Sequence, residues 1–248
     1  MNMEIDLLRE FLKDDIRDAT DFDATAQSRG LPAPPIEKPV QDGQKVIELP
    51  PVTRDILKHN DLFAAISERK SWRKYQSEPM TLAELAWILF AAQGMPHPER
   101  AIKHRTVPSA GNRHSFETYI AVFDVTGLDC GIYRYLATRN ALVKESAPSH
   151  LRERVTAATR GQVFAGNGAI CLFFTTLPYR TEWRYGEASH KVIAQDSGHV
   201  VQNVYLAAAA IDCGTCSIAA YDQRLADELL GVDGNDEFTV YVAPVGKI

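Results

Sequence analysis

The sequence contains few cysteines, no basic block and no long apolar run. Its 248 residues include only four cysteines, too few for the disulfide framework of a secreted chain of this length. This favours a reducing compartment and predicts a cytoplasmic protein. The net charge of −5 without clustered Lys and Arg argues against nucleic acid as a partner. No window approaches the ~20 apolar residues of a membrane span, and the acidic residues after Met1 do not fit a signal peptide.

The common nucleotide loops are also missing. Gly166-Asn-Gly168 has Cys171 at the third glycine position, and the apolar run follows these glycines where the dinucleotide fingerprint needs it to precede them. A Walker loop is absent. Cys213-Gly-Thr-Cys216 is a single CxxC, which could serve thiol redox chemistry or zinc. A small-residue turn from helix into strand explains it more simply, and we predict that both cysteines are packing residues.

Composition divides the chain into two regions. Residues 3–14 have the apolar spacing of a short amphipathic helix. Residues 15–51 are rich in Asp, Gly, Gln and Pro and cannot build a core of their own, which predicts an arm wrapped over the body or over a second subunit. We therefore expect an N-terminal helix and proline-rich arm over residues 1–55 and a folded domain over residues 56–248.

Within the folded domain, helical and strand patterns mix without βαβ regularity, which predicts an α+β fold. Thr81-Leu-Ala-Glu84 is a capping box that opens one helix. Helical patterns occupy residues 62–66, 81–92, 151–159, 195–211 and 224–230. Strand patterns occupy residues 117–124, 131–136, 141–144, 169–176 and 237–243. The run 169–176 is almost wholly apolar, which is typical of a strand covered on both faces.

Two segments are candidates for ligand binding. Arg69-Lys70-Ser71-Trp72-Arg73 carries two guanidiniums and a hydroxyl at a spacing suited to holding a phosphate. Pro108-Ser109-Ala110-Gly111-Asn112 is a small-residue turn that could present backbone N–H groups and a Ser hydroxyl to the edge of a flat ring. Taken singly, the first could be a solvated helix end and the second an ordinary turn.

Other polar residues near these segments have open roles. Arg105, Arg113 and His114 could reach an anion or could be solvated. Asp196, His199 and Asn203 form one polar stripe on an apolar helix, which must be satisfied by hydrogen bonds at a subunit interface or around a ligand. We expect structural hydrogen bonding there, and proton donation by His199 stays possible. Residues 182–185 could line a pocket or lie in a loop.

Together and in this order, the segments resemble the nitroreductase family of FMN oxidoreductases over residues 67–246. The resemblance depends on five motifs, which are Arg69-Lys-Ser-Trp-Arg73, Leu82-Ala-Glu-Leu-Ala86 with Ala91-Ala-Gln-Gly94, Pro108-Ser-Ala-Gly111, Asp196-Ser-Gly-His-Val-Val-Gln-Asn203 and Cys216-Ser-Ile-Ala-Ala-Tyr-Asp222. Within the family, the chain is similar to the branch of streptolysin-type azoline dehydrogenases. The Lys-Tyr pair associated with that branch occurs only as Lys74-Tyr75, so azoline oxidation is not expected.

The resemblance implies a mixed central sheet flanked by helices, in an intertwined homodimer with two FMN sites at the subunit interface. One subunit would contribute the anchoring residues Arg69, Ser71 and Arg73. The other subunit would contribute the turn residues Pro108, Ser109, Ala110, Gly111 and Asn112. The backbone of Ser217, Ala219 and Ala220 would face the isoalloxazine, and Lys247 is the one candidate for the basic C-terminal segment that holds the phosphate in many members.

The function implied by the resemblance is hydride transfer from NAD(P)H through FMN to a small electron-poor acceptor, such as a nitroaromatic or a quinone, by a ping-pong mechanism. The hydride chemistry would be the cofactor's, and the protein would bind, orient and tune it. Two alternatives are a flavin-binding or redox-sensing dimer without acceptor chemistry, and a thiol or zinc protein built on the CxxC.

Overall fold

A computed structural model describes residues 5–100, 102 and 104–248, without the side chains of Asp6 and Leu7. The described helices are α1 (Ile5–Glu10), α2 (Asp15–Ala19), α3 (Leu62–Glu68), α4 (Leu82–Gln93), α5 (Leu151–Ala158), α6 (Phe164–Asn167), α7 (Tyr179–Tyr185), α8 (Ser189–Ala209) and α9 (Gln223–Leu230). The described strands are β1 (Val46–Glu48), β2 (Phe116–Val122), β3 (Gly131–Leu136), β4 (Ala141–Ser146), β5 (Ile170–Thr176), β6 (Cys213–Thr215) and β7 (Phe238–Lys247).

The strands form one sheet in the order β1-β4-β3-β2-β5-β7-β6. Every pairing between these strands is antiparallel, and the parallel contact within the described residues is an isolated bridge between Met80 and Val125. Strand β5 lies between β2 and β7, and all its residues are buried. The α+β class and the doubly covered apolar strand are thus confirmed.

Helices cover both faces of the sheet because the side chains of its strands alternate in direction. Leu172 and Phe174 of β5 pack with α4 and α8 in one core cluster. Cys171 and Phe173, one residue out of phase, pack with α5 and α9 in the other. Of the helices in the described part of the chain, none combines the length and the apolar character that crossing a membrane requires.

Helix α4 begins with the predicted capping box. The Thr81 hydroxyl accepts a hydrogen bond from the Glu84 N–H at 3.2 Å, and the Glu84 carboxylate accepts one from the Thr81 N–H at 2.9 Å. Both N–H groups would otherwise lack a partner at the helix start. The buried Glu84 also forms an ion pair with Lys247 at the end of β7, so one residue fixes α4 to the sheet.

The proline-rich arm lies against the body of its own protomer. Two buried arginines hold its main chain, since Arg105 donates to the Ile36 carbonyl at 2.8 Å and Arg134 donates to the Lys38 and Pro39 carbonyls at 3.0 and 3.1 Å. Further along, β1 pairs with β4 at the sheet edge. The arm therefore adds a strand to the sheet, while a domain division at residue 55 stays a prediction.

Three elements differ in extent from the sequence expectation. The amphipathic pattern over residues 3–14 corresponds to the shorter helix α1, with its first two positions outside the described residues, and α2 follows after a turn. Helix α8 begins at Ser189, because Ile193 continues its buried face one turn before the apolar run. Strand β7 continues through Pro244 to Lys247, and β6 pairs only with its last three residues, beyond the proline.

Candidate functional site

Residues 69–73 run beside the sheet edge formed by β6. Helix α3 ends at Glu68, and Arg69 is its C-cap with φ of −53° and ψ of 127°. The segment therefore begins at a helix end, as the sequence allowed, and continues outside the helix. The Trp72 N–H donates to the Thr215 carbonyl at 2.9 Å. Gly214 permits this approach, because a Cβ there would lie 2.6 Å from the Trp72 side chain.

Tyr205 on α8 joins the segment 69–73 to Ser217, which follows β6. Its hydroxyl lies 3.1 Å from the Ser71 hydroxyl and accepts a hydrogen bond from the Ser217 N–H at 2.9 Å. The Arg69 guanidinium lies over the Tyr205 ring at 5.2 Å. Tyr241 on β7 donates to the Ser217 hydroxyl at 3.1 Å. Arg69, Ser71 and Ser217 are therefore brought together around one side chain.

The guanidiniums of this segment are not neutralised by carboxylates. Within the part of the chain that is described, neither Arg69 nor Arg73 forms an ion pair. Arg73 lies over the Phe164 ring at 5.9 Å. A pocket of about 740 Å³ opens beside Arg69 and Trp72, and its lining carries the cations of Lys58, Arg69 and Lys70 together with the carboxylates of Asp61, Glu68 and Asp212.

The segment after β6 leaves two alanines open to a ligand. Ile218 is fixed to β7 by reciprocal backbone hydrogen bonds with Val242 at 2.7 and 3.2 Å. Ala219 and Ala220 follow as exposed residues. Since neither has a side chain beyond Cβ, a flat ring could approach their backbone closely.

The turn at residues 108–112 is bound to the middle of α8. The buried Asp196 accepts hydrogen bonds from the Ala110 N–H at 3.0 Å and from the Ser109 hydroxyl. Burial raises the pKa of Asp196, and these two hydrogen bonds oppose the shift. The Ser109 oxygen also accepts from the His114 N–H at 2.9 Å. The expectation that this N–H and this hydroxyl point to a ring is corrected, because both are engaged within the chain.

Gly111 packs against α7 within the same chain. A Cβ at Gly111 would lie 2.6 Å from the Tyr185 hydroxyl and 2.8 Å from the Arg184 Cδ, and its φ is +57°. The following residue, Asn112, also has φ of 57°, a conformation that costs free energy for a residue with a Cβ. Helix α7 packs against one side of the turn, whose exposed residues are Pro108 and Gly111.

The three basic residues near the turn have structural partners. Buried His114 lies 2.8 Å from the Asn112 carboxamide oxygen, and burial lowers its pKa to about 3, so it is neutral at physiological pH. Arg113 donates to the Arg180 carbonyl at 2.8 Å. Arg105 is buried against the arm. The possibility that Arg105 reaches an anion is therefore excluded by its position.

The polar stripe of α8 satisfies backbone groups, as expected. Asp196 holds the turn, and the Asn203 carboxamide donates to the Ala91 carbonyl at the end of α4 at 2.9 Å. His199 is half exposed, 3.7 Å from Asp196. Asp196 and Tyr205 are nine residues apart on α8, which corresponds to about 13.5 Å along the axis. Within one protomer, residues 69–73 and Ser217 thus meet at Tyr205 near the C-terminal end of α8. The turn at residues 108–112 contacts the same helix at Asp196, about 13.5 Å away along the axis.

Lys247 does not reach the pocket beside Arg69. Its side chain is buried, only 7% exposed, and is paired with Glu84. The family-derived expectation that it holds a phosphate is not supported by this position, because its charge is already compensated.

Both cysteines of the CxxC are buried free thiols. Burial raises the pKa of the Cys213 thiol to about 12. No cluster of His, Cys, Asp and Glu able to hold a metal ion occurs among the described residues. The positions agree with packing roles.

Sequence reasoning missed Tyr205, Tyr241 and the part played by α7. A tyrosine at the end of an apolar helix carries no motif, and its partners are distant in sequence. Nothing local in the sequence indicates that Arg184 and Tyr185 pack against Gly111. The polar stripe of Asp196, His199 and Asn203 was the one pattern in the sequence that indicated polar partners for α8.

Comparisons with known proteins identify the family of the chain. A sequence profile of the nitroreductase family matches residues 66–247. A protein of Methanocaldococcus jannaschii, named as a nitroreductase, is 37% identical over 180 residues, which cover 73% of this chain and 87% of that protein.

Solved structures share the fold. One from Anabaena variabilis, named as a nitroreductase, has a TM-score of 0.64 and 27% identity, and the match covers 74% of this chain but only 37% of that one. One from Ralstonia eutropha, also named as a nitroreductase, has a TM-score of 0.69 at 23% identity, covering 88% and 98%. One from Desulfovibrio desulfuricans, solved in complex with FMN, has a TM-score of 0.51 at 19% identity, covering 76% and 87%. Because the family profile extends over most of the chain and the Methanocaldococcus relative shares more than a third of the aligned residues, this chain belongs to the nitroreductase family of oxidoreductases.

Proposed function

We propose that this protein is an FMN-dependent oxidoreductase that passes hydride from NAD(P)H to a small electron-poor acceptor, such as a nitroaromatic or a quinone, in two half-reactions at one site. Family membership supports the reaction class, and the Desulfovibrio structure with the same fold was solved with FMN. We further propose that the protein is related to the azoline dehydrogenase branch of the family and that it is located in the cytoplasm. Azoline oxidation is not included, because the hydroxyl of Tyr75 is bonded to the Trp72 and Pro244 carbonyls.

One observation carries the FMN assignment. Arg69 and Ser71, with a guanidinium and a hydroxyl free of carboxylate partners, meet Ser217 at Tyr205. A phosphate monoester has nearly two negative charges and accepts several hydrogen bonds, which suits guanidiniums and a hydroxyl. The exposed Ala219 and Ala220 adjoin this cluster in sequence and offer a face without bulky side chains. The residues therefore fit both ends of FMN.

The chain's own residues would bind and orient. Arg69, Ser71 and Arg73 would hold the phosphate, and Ser217, Ala219 and Ala220 would lie along the ring. FMN, when bound, supplies acceptance and donation of hydride. We propose that residues 108–112 of the partner subunit form the opposite wall, with Asp196 keeping the turn in shape from behind.

A homodimer is part of the proposal. Helix α3 exposes the large apolar side chains of Leu62, Phe63 and Ile66, with 65%, 79% and 57% of their surfaces accessible. An apolar pocket of about 330 Å³ adjoins this helix, bordered by Trp87 and Leu206. Contiguous apolar surface of this kind is typical of an obligate interface, and a second copy of the chain would cover it.

The experiment begins with purified protein. We expect a yellow sample that releases FMN on denaturation, is bleached by NADH or NADPH without oxygen, and regains its colour when a quinone or nitroaromatic is added. Bleaching without recovery by either acceptor would indicate the flavin-binding or redox-sensing alternative. A protein that neither contains nor takes up FMN would contradict the proposal as a whole.

A further inference from the structure

We propose that Tyr205 is a positioning residue that orients the Ser71 hydroxyl as a hydrogen-bond donor to the FMN phosphate. This inference rests on the FMN site proposed above. It assigns a role to a helix residue outside the motifs that carry the family resemblance.

Four hydroxyl-bearing residues from four parts of the chain form one connected cluster. Ser71 follows α3, Tyr205 lies on α8, Ser217 follows β6 and Tyr241 lies on β7. Successive hydroxyl oxygens are 3.1, 3.3 and 3.1 Å apart from Ser71 to Tyr241. Such a cluster depends on tertiary packing, and Tyr205 is the member that links Ser71 to the others.

Either hydroxyl can donate in the Ser71–Tyr205 and Tyr205–Ser217 pairs, so two directions are open to this part of the cluster. Each hydroxyl has one hydrogen. Tyr241 donates to Ser217, and the Tyr205 oxygen accepts from the Ser217 N–H. If Ser217 then donates to Tyr205 and Tyr205 to Ser71, the hydrogen of Ser71 is free to point outward. An anion at Ser71 selects this arrangement, because the reverse one would turn the Ser71 lone pairs toward the anion. Aligned hydroxyls also polarise one another and strengthen the final bond.

Tyr205 acts on the neighbouring cation as well. Its ring lies 5.2 Å from the Arg69 guanidinium, a distance at which a cation is attracted to the face of an aromatic ring. The hydroxyl and the ring can be separated by mutation, since phenylalanine keeps the ring and removes the hydroxyl. The Tyr205→Phe variant therefore tests the hydroxyl alone.

The test compares FMN with riboflavin, which lacks the phosphate. Dissociation constants are measured by flavin fluorescence on deflavinated protein, with thermal unfolding as the check of folding. In Tyr205→Phe we expect FMN to bind about tenfold more weakly, because one charge-assisted hydrogen bond loses its orientation, and riboflavin to bind as in the wild type. The matched control is Tyr133→Phe on β3. This variant also loses one tyrosine hydroxyl, which donates a hydrogen bond to the Asp129 carbonyl.

A double-mutant cycle gives a second readout. If Tyr205 acts through Ser71, Tyr205→Phe should change FMN affinity less than twofold in a Ser71→Ala background. Ser217→Ala, which interrupts the same cluster, replaces Tyr205→Phe if that variant does not fold. Equal weakening of FMN and riboflavin, or fully multiplicative effects in the cycle, would overturn the inference. A wild type that binds neither flavin would instead contradict the proposed function.

Discussion

Arg69 and Arg73 differ from the buried arginines of this chain in the state of their guanidiniums. Arg105, Arg134 and Arg180 are buried and hydrogen-bonded to carbonyls or carboxylates, whereas the guanidiniums of Arg69 and Arg73 lie over aromatic rings and form no ion pair with the described residues. The open pair is therefore available to a phosphate.

Replacing Arg69 or Arg73 by alanine should release FMN. Each charged hydrogen bond to phosphate contributes ~1.5–3 kcal/mol, so FMN content after gel filtration should fall in both variants. Arg139→Ala, which removes an exposed arginine paired with Glu48 at the far sheet edge, is the control and should keep its flavin. Unchanged FMN affinity in both test variants would remove the anchoring assignment.

The cysteines should separate into one reactive and three protected thiols. Cys130 is exposed, whereas Cys171, Cys213 and Cys216 are buried. Burial raises the pKa of Cys213 to about 12, so almost no thiolate is present at pH 8. Brief iodoacetamide treatment of native protein, read by peptide mass spectrometry, should modify Cys130 alone.

Removing both thiols of the CxxC should leave the chemistry intact. The double variant Cys213→Ser with Cys216→Ser is expected to keep its FMN content and turnover close to wild type, since both residues are buried free thiols and belong to no cluster of described residues that could hold a metal ion. Loss of turnover in a folded variant that retains FMN would restore the thiol hypothesis.

Among the helices and strands, the features that could be predicted are those set by residues close together in the sequence. The capping box at Thr81 and the apolar run of β5 depend on neighbouring residues, and both were correct. The passage of β7 through Pro244 depends on which strand lies beside it, which the local sequence does not contain. The cluster at Tyr205 needs α8, β6 and β7 to be assembled first. The anchoring role predicted for Arg69, Ser71 and Arg73 depends on a family resemblance, which supplies long-range information that the local sequence does not contain.

The junction of α4 with β7 should give stability a dependence on pH. Burial alone would raise the pKa of Glu84, but hydrogen bonds from Lys247 and Thr81 outweigh it and lower the pKa overall. The unfolded carboxylate therefore binds a proton more tightly than the folded one. The stabilisation is present above the unfolded pKa of about 4.3 and is lost as pH falls through the folded pKa.

Glu84→Gln tests this junction by urea unfolding at pH 7 and at lower pH. At pH 7 the variant should lose about 3 kcal/mol, because the Lys247 ammonium stays buried without its partner. The free energy of unfolding of the wild type should decline between pH 5 and 3, and the variant should show a smaller decline. Adding Lys247→Met should restore stability at pH 7. If Glu84→Gln alone were as stable as the wild type, the stabilising role of the Glu84–Lys247 pair would be refuted.

For the whole molecule, assembly and flavin binding should be coupled. If residues 108–112 of the partner complete each site, FMN binds only the dimer and stabilises it by mass action. Light scattering after gel filtration should show a dimer with FMN and a weaker one without it. Phe63→Asp, which charges the exposed face of α3, should give monomers that lose FMN, whereas Ile5→Asp on exposed α1 should not. A monomer that keeps its flavin at micromolar concentration would contradict the shared site.

The attachment of the arm has an evolutionary consequence. Arg105 and Arg134 bind the carbonyls of Ile36, Lys38 and Pro39, and Glu117 accepts from the Lys38 N–H at 2.8 Å. These contacts read the path of the main chain and not the identity of its side chains. At many arm positions substitutions can therefore accumulate, whereas inserting or deleting one residue between Pro39 and β1 would put the two attachments out of step. We expect the corresponding arms of homologous proteins to vary widely in amino-acid sequence and very little in length.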